Sequence, residues 1–428
     1  MSQYLPRVVD DELDALLPEL PAISIEGPKG VGKTGTARRR AARTFELDDP
    51  AQRELLQADH SALTDSDGTV LLDEWQRLPE SWDLVRRAVD AGAAPGRFLL
   101  TGSATPTQAP THSGAGRIVR LRMRPMSLSE RGVSNPTVSL AELLTGQGPQ
   151  IGGTCELTAP DYAEQIIRSG FPGIRTLSTR AARAQLNGYL ERIVERDFPE
   201  QGHLVRRPAT LLAWLRAYAA ATATTTAYNT ILDAATPGGA DKPAKTTTIG
   251  YRDVLTQLWL LDPLPGWIPT GNQFTRLAQA PKHHLADPAL AARLLDLDVD
   301  ALRRGTSSPV RIGSSSGSGS SMFGALFESL ITLDLRVYAQ AAQARVSHLR
   351  TRNGDHEIDL ILEAGAGRIA AFEVKLAANV DDTDVRHLRW LRNHIGEQLI
   401  EAAVITTGPY AYRRKDGIAV IPAALLGP

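Results

Sequence analysis

The sequence predicts an α/β protein of about two to four domains: a parallel sheet covered by helices, a helical middle, and a small second α/β domain. Three observations predict it. Short apolar runs at residues 23–26, 69–72 and 97–100 alternate with helix-like stretches and end in glycine, carboxylate or hydroxyl tips. Residues 156–305 change in character to helix and loop. Residues 323–375 read as helix, strand, tight turn, strand, glycine turn and strand.

The first run opens into Gly27-x-x-x-x-Gly32-Lys33-Thr34, the phosphate-binding loop pattern in a strand–loop–helix setting. Gly27, Gly30 and Gly32 let successive N–H groups turn toward a phosphate, and the opening of the next helix adds its positive dipole end. Lys33 is expected to reach the β- and γ-phosphates, and the Thr34 hydroxyl to hold Mg²⁺. The competing reading, a chance glycine-rich turn, is weakened by the next two runs. Residues 69–72 end in Asp73-Glu74, a buried parallel strand with carboxylates at the edge where open α/β sheets bind ligands. Asp73 is expected to bind Mg²⁺ and Glu74 to polarise the attacking water. Residues 97–100 run into Thr101-Gly102-Ser103, a polar tip suited to sensing a γ-phosphate. ATP and Mg²⁺ are therefore the expected cofactors.

Composition bounds the remaining possibilities. Hydrophobic residues make up 42% and charged residues 22%, ordinary values for a globular protein. No apolar run reaches the roughly eighteen residues that would span a membrane. The start, MSQYLPRVVDDEL, is mixed and acidic, unlike a signal peptide. The single cysteine, Cys155, excludes an intrachain disulfide, which fits a reducing cytoplasm. A net charge of −1 gives no global attraction to nucleic acid, so any such contact must come from local patches.

Along the chain, Leu13, Leu16 and Leu17 mark a helix within residues 4–20. Arg38, Arg39, Arg40 and Arg43 read as a solvated helix face, with phosphate or subunit contact as the alternative. Residues 76–91 are amphipathic, with Leu78, Trp82, Val85 and Val89 inward. Residues 116–131 carry a further strand with interspersed arginines. Arg117 is a candidate arginine finger toward a neighbouring copy in a homo-oligomer, against the plainer reading of a surface arginine. Residues 181–198 and 211–221 are helices, and Thr247 or Thr248 is expected to cap a helix running to residue 260. Helices followed by a hairpin give the order of a winged-helix module, while a helical spacer fits equally. Residues 306–321 form a Ser/Gly linker. The expected divisions are 1–155, 156–305, 306–321 and 322–428.

The last hundred residues hold a second constellation. Glu328 borders the apolar stripe of a helix at 323–338. Strands at 347–352 and 357–362 flank an Asn353-Gly354 turn. Gly365 and Gly367 then turn the chain into a strand at 369–375, where Glu373 and Lys375 share a face. Folding that hairpin sets Asp359 opposite residue 372 or 373. Glu328, Asp359 and Glu373 are expected to share a divalent metal, since clustered carboxylates repel without a cation. Lys375 would position a nucleophile or neutralise charge. Surface charges on a small α/β domain are the alternative. His356 and Glu357 read as exposed hairpin residues.

With these residues in place the chain resembles a prokaryotic family of AAA+-type P-loop ATPases joined to a C-terminal domain of unknown function that looks like a PD-(D/E)xK nuclease. The stretches carrying the resemblance are GPKGVGKT, LLDEWQRLPE, FLLTGSA, RMRPMSLSE, SGFP, YLERIVERD, LFESL, RTRNGDHEIDLIL and AFEVK. The family commonly has Arg where Lys29 stands and a bulky residue where Gly35 stands. The resemblance implies a cytosolic ATPase with a winged-helix middle and a restriction-endonuclease-like end. The leading expectation is ATP hydrolysis coupled to a metal-dependent nuclease-like domain acting on DNA or another nucleic acid. The rival is a nucleotide-controlled switch or defence-type sensor with an inert C-terminal docking domain.

Overall fold

The computed structural model describes residues 4–63, 65, 67–104, 114–202, 207–236, 243–269, 279–304, 321–351 and 354–428. The Ser/Gly stretch, apart from Ser321, and Asn353 of the expected turn lie outside the described residues.

Among the described residues the first sheet has five strands: β1 (Ala22–Glu26), β2 (Arg43–Glu46), β3 (Val70–Asp73), β4 (Phe98–Gly102) and β5 (Val119–Arg122). They are all parallel, in the order β2-β3-β4-β1-β5. Unbroken apolar runs suit strands covered on both faces, and β1, β3 and β4 are buried throughout. Successive side chains take opposite faces. Leu72, Phe98 and Leu100 pack with Trp75, Trp82 and Val85 on one side. Ile23, Ile25, Leu71 and Leu99 join the large core shared with the rest of the chain on the other. This order places β4 between the loop strand β1 and the carboxylate strand β3, so their carboxyl ends meet.

The helix expected at 76–91 begins later, at Glu80–Asp90, after a short 3₁₀ turn Trp75–Arg77. Pro79 explains the late start, because proline is tolerated at a helix opening but not inside one. The 181–198 helix is observed as Thr179–Arg192, running on through a π-helical turn Ile193–Asp197. The Thr247 or Thr248 cap is corrected: the helix is Lys245–Gln257 with Ala244 at the cap. Thr248 lies inside, its hydroxyl satisfied by back-bonding to the Lys245 carbonyl at 2.8 Å. Helices Pro208–Ala220 and Tyr228–Ala235 precede it, and antiparallel bridges Leu261–Leu285 and Leu264–Lys282 follow.

The C-terminal sheet is built on β9 (Arg345–Arg350), β10 (Glu357–Ala364), β11 (Arg368–Lys375), β12 (Leu399–Thr406), β13 (Tyr410–Arg413) and β14 (Ala419–Pro422). Two short strands from outside the expected domain complete it, β7 (Gly153–Thr154) beside β13 and β8 (Gly266–Trp267) beside β9. Alternation assigns the faces except in β10, where an irregularity between Ile358 and Ile361 puts both on one side. Leu360, Leu362, Phe372 and Ile405 pack with Phe327, Leu330 and Ile331 of the helix Met322–Ala341. Ile358, Ile361, Ala371 and Val404 pack with Leu388 and Leu391 of the helix Arg386–Ile395. Finally β15 (Leu426–Gly427) pairs with β6 (Val138–Ser139).

Candidate functional site

Residues 27–34 form the loop that the glycine spacing predicts. Gly30 and Gly32 hold φ of 82° and 106°, left-handed values that favour glycine. At Gly27 a Cβ would lie 2.0 Å from the Met123 carbonyl oxygen, so only glycine allows that approach. Lys33 is buried, and its Nζ donates to the carbonyls of Gly27 and Pro28, each at 2.9 Å. Burial pulls its pKa down to about 8 despite the nearby carboxylates of Glu74 and Asp73. Thr34 Oγ1 donates to Asp73 Oδ1 at 2.8 Å, and Thr101 Oγ1 donates to the same oxygen. Burial raises the Asp73 pKa against those two hydrogen bonds. Glu74 adopts a left-handed φ of 54°, and its Oε2 accepts from Ser103 Oγ at 2.7 Å and from Gln76. Lys33, Thr34, Asp73, Glu74, Thr101 and Ser103 thus meet at one sheet edge.

Two supports of this loop escaped the sequence reading. Arg7, buried beneath it, donates from Nη1 to the Val31 carbonyl and from Nη2 to the Arg124 carbonyl, both at 2.7 Å. Glu130 pairs with its Nε at 3.0 Å. From the other side Lys29 Nζ meets Asp197 at 2.5 Å, and Tyr189 donates to the Lys29 carbonyl at 3.4 Å. The π-helical turn carries Asp197, so an acidic residue close to an otherwise regular helix end was the only signal available.

The arginines of the first helix differ in part from the solvated face expected of them. Arg40 is mostly buried and binds Asp10 and Asp14, Arg39 lies over the Tyr4 ring, and Arg43 donates to the Ala62 carbonyl. Arg38, paired with Glu46, and Arg39 are exposed, as the solvated reading expects. Arg117 Nε donates to Asp90 of its own chain at 2.8 Å.

In the C-terminal domain the β10–β11 register runs as far as Leu360 opposite Phe372, which brings Asp359 next to the Glu373 end of β11. Asp359 Oδ2 accepts from the Val374 N–H at 2.9 Å, and Lys375 Nζ lies 3.3 Å from Glu373 Oε2. Glu328 joins them through a residue that sequence reading missed. Lys282, 1% exposed, places its Nζ 2.8 Å from Glu328, 2.9 Å from Asp359 and 3.2 Å from Glu357. Burial pulls this ammonium down, but Asp359, Glu328 and Glu357 hold it well above the usual lysine value. Burial pushes Asp359 up, yet Lys282 and Lys375 bring it to about 2. Burial, then the Asp359 charge, raises Glu328 to about 8 and pushes Glu373 well up. Among the described residues Glu373 Oε1 is buried without a hydrogen-bond partner.

The exposed reading of two neighbours is corrected. Glu357 is half-buried by its pairing with Lys282, and half-buried His356 stacks on Trp390 at 4.0 Å between ring centroids. Among the described residues no group of three or more His, Cys, Asp or Glu side chains stands ready to hold a metal. Lys282 lies at the centre of the carboxylates instead.

A buried junction joins the two regions. Asp262 accepts from Arg124 at 2.9 Å, pairs with Arg122 at 3.1 Å, and contacts Arg336 of the 322–341 helix. Burial raises this carboxyl, but the three guanidinium groups hold it well below the usual range.

Residues 19–131 match a family model described as an AAA domain. Residues 159–301 and 323–426 match two domains of unknown function, DUF8612 and DUF4143. Uncharacterized proteins of Mycobacterium tuberculosis and Mycobacterium bovis are each 26% identical over 415 residues, 94% of this chain and 80% of theirs. Among solved structures, a Walker-type ATPase of Pyrococcus abyssi is 16% identical, covering 68% of this chain and 96% of its own, with a TM-score of 0.37. The ORC2 protein of Aeropyrum pernix, solved in ADPNP and ADP complexes, is 18% identical over 70% and 96%, with a TM-score of 0.32. These superpositions are too loose to carry an argument. Among the described residues no helix is long and apolar enough to cross a membrane. The N-terminal region thus joins a sequence match to an AAA domain over residues 19–131 with a parallel sheet and a phosphate-binding-type glycine loop, and it is followed by two regions that match domains of unknown function.

Proposed function

We propose that this chain binds ATP with Mg²⁺ at residues 27–34, hydrolyses it, and transmits the nucleotide state to its C-terminal domain. The observation that supports this most is the chain of contacts from Thr34 through Asp73 to Thr101, beside the buried Lys33. Lys33 exchanges two neutral carbonyls for phosphate oxygens, and the N–H groups around Gly27, Gly30 and Gly32 cradle the anion. Thr34 and Asp73, already within hydrogen-bonding distance, would hold Mg²⁺, which supplies charge neutralisation when bound. Glu74 orients the attacking water, while Thr101 and Ser103 tie its position to the end of β4. Glu74→Gln should keep ATP binding and lower turnover by more than about a hundredfold. Unchanged turnover in that variant would remove Glu74 from its role, and no turnover by the wild type would remove the hydrolytic reading.

For the C-terminal domain we propose a divalent-cation site of the PD-(D/E)xK kind, formed by Glu328, Asp359 and Glu373 with Lys375, acting on nucleic-acid phosphodiesters. Its support is the buried Oε1 of Glu373, which has no hydrogen-bond partner among the described residues. A second reading, a nucleotide-controlled switch with a docking fold, is favoured by Lys282, which already balances those carboxylates. Cleavage of labelled DNA by the full chain in Mn²⁺, lost in Asp359→Asn, decides for the first. Equal cleavage by the variant decides against it.

A further inference from the structure

We propose that Lys282 is the resident cation of the C-terminal carboxylate site, supplied by the middle region, and that a divalent metal binds there only when Lys282 withdraws. This rests on the reading of Glu328, Asp359 and Glu373 as a cation site.

The ammonium has three N–H groups, and three carboxylates surround it at 2.8, 2.9 and 3.2 Å. It donates to Glu328 and Asp359 and pairs by charge with Glu357, and it is 1% exposed. Divalent cations hold oxygen at roughly 2.0–2.6 Å, so a metal bridging Glu328 and Asp359 would press directly on Nζ. Two positive groups in one buried site repel, which makes the two occupants exclusive. Glu373 is the carboxylate that Lys282 leaves unserved: its Oε1 has no hydrogen-bond partner among the described residues.

Lys282 also stands on an element separate from its partners. Its backbone pairs with Leu264 in both directions at 2.9 Å, and the neighbouring Asp262 donates its N–H to the His284 carbonyl. Asp262 is the residue gripped by Arg122 and Arg124 at the end of β5. Between those arginines Met123 donates to the Glu26 carbonyl, and its own carbonyl abuts Gly27. One continuous set of contacts therefore runs from the phosphate loop to the bridged segment that bears Lys282. A shift of the loop on nucleotide binding has a path to the lysine.

The test is calorimetric titration of the nucleotide-free full chain with MnCl₂, comparing wild type, Lys282→Gln, Lys282→Arg and Lys282→Gln/Glu373→Gln. Lys282→Gln should gain a Mn²⁺ site at least about tenfold tighter than any wild-type site, because site charge sets divalent affinity. Lys282→Arg should not gain it, and the double variant should lose it while keeping any binding at Thr34 and Asp73. If Lys282→Gln fails to fold, Lys282→Gln/Glu328→Gln, which removes one carboxylate with the lysine, is held to the same outcome. Tight Mn²⁺ binding by wild type that Glu373→Gln abolishes would overturn the proposal while keeping the metal site. No Mn²⁺ binding through Glu373 in any folded variant would overturn both.

Discussion

Two buried lysines, Lys33 and Lys282, sit in contrasting surroundings. Lys33 faces neutral carbonyls, and burial brings it down to about 8. Lys282 faces three carboxylates, which hold it well above its usual value. Neutral dipoles satisfy the hydrogen bonds of an ammonium without cancelling its charge, so Lys33 keeps its attraction for an anion. Carboxylates cancel the charge as well, so Lys282 keeps no net attraction for an anion. The same side chain is a binding group in one region and a structural counter-charge in the other.

The sharpest way to break that contrast is to shorten both lysines. Lys282→Ala strands a buried carboxylate cluster and should cost about 3–5 kcal/mol, read by denaturant unfolding of the full chain. Lys33→Ala leaves only two loop carbonyls unserved. Its main effect should be on ligand, with ATP binding weakened by about a hundredfold or more in a calorimetric titration. Equal stability losses in the two variants would show that the surroundings do not distinguish them.

A smaller effect comes from pH. Free Lys33 loses its proton near pH 8, while bound phosphate favours the protonated form, so binding takes up a proton above that pH. ATP affinity should be full below about pH 8 and fall by up to about tenfold per pH unit above it. Calorimetry in two buffers of different ionisation enthalpy would detect the uptake; a flat profile would place Lys33 away from the phosphate. Smallest of all is Arg117→Ala. Its partner Asp90 is a surface group, so melting temperature, ATP affinity and turnover should stay put. A large loss of turnover with unchanged affinity would instead mark Arg117 as an arginine finger.

Much of the first site was legible because its grammar is local. Gly27, Gly32, Lys33 and Thr34 fall within one loop, and Asp73, Thr101 and Ser103 each close a short apolar run. The β10–β11 register was legible for the same reason, through a glycine turn of fixed length. Lys282 was not. It lies 46 residues from Glu328 and 77 from Asp359, in a stretch with no periodic pattern to aim it. Arg7 and Glu130, 123 residues apart, escaped likewise. Strands of two residues such as β7 and β8 carry too little pattern to be seen, and the pairing of distant segments is decided by packing. The Thr248 error was of another kind: a residue that favours caps was accommodated within a helix by its own back-bond.

The pairing of residues 426–427 with 138–139 has a consequence for the nascent chain. Ser139 Oγ donates to the Pro428 carbonyl across a separation of 289 residues. At the ribosome, roughly 15–60 s pass between the emergence of one partner and the other. Strands β1 to β5 lie within residues 22–122 and need none of the later chain for their hydrogen bonds. Lys282, by contrast, emerges before every carboxylate that neutralises it. The five-stranded sheet can therefore close early during translation, while the strand at 138–139 must wait for residues 426–427 and the lysine for residues 328–359.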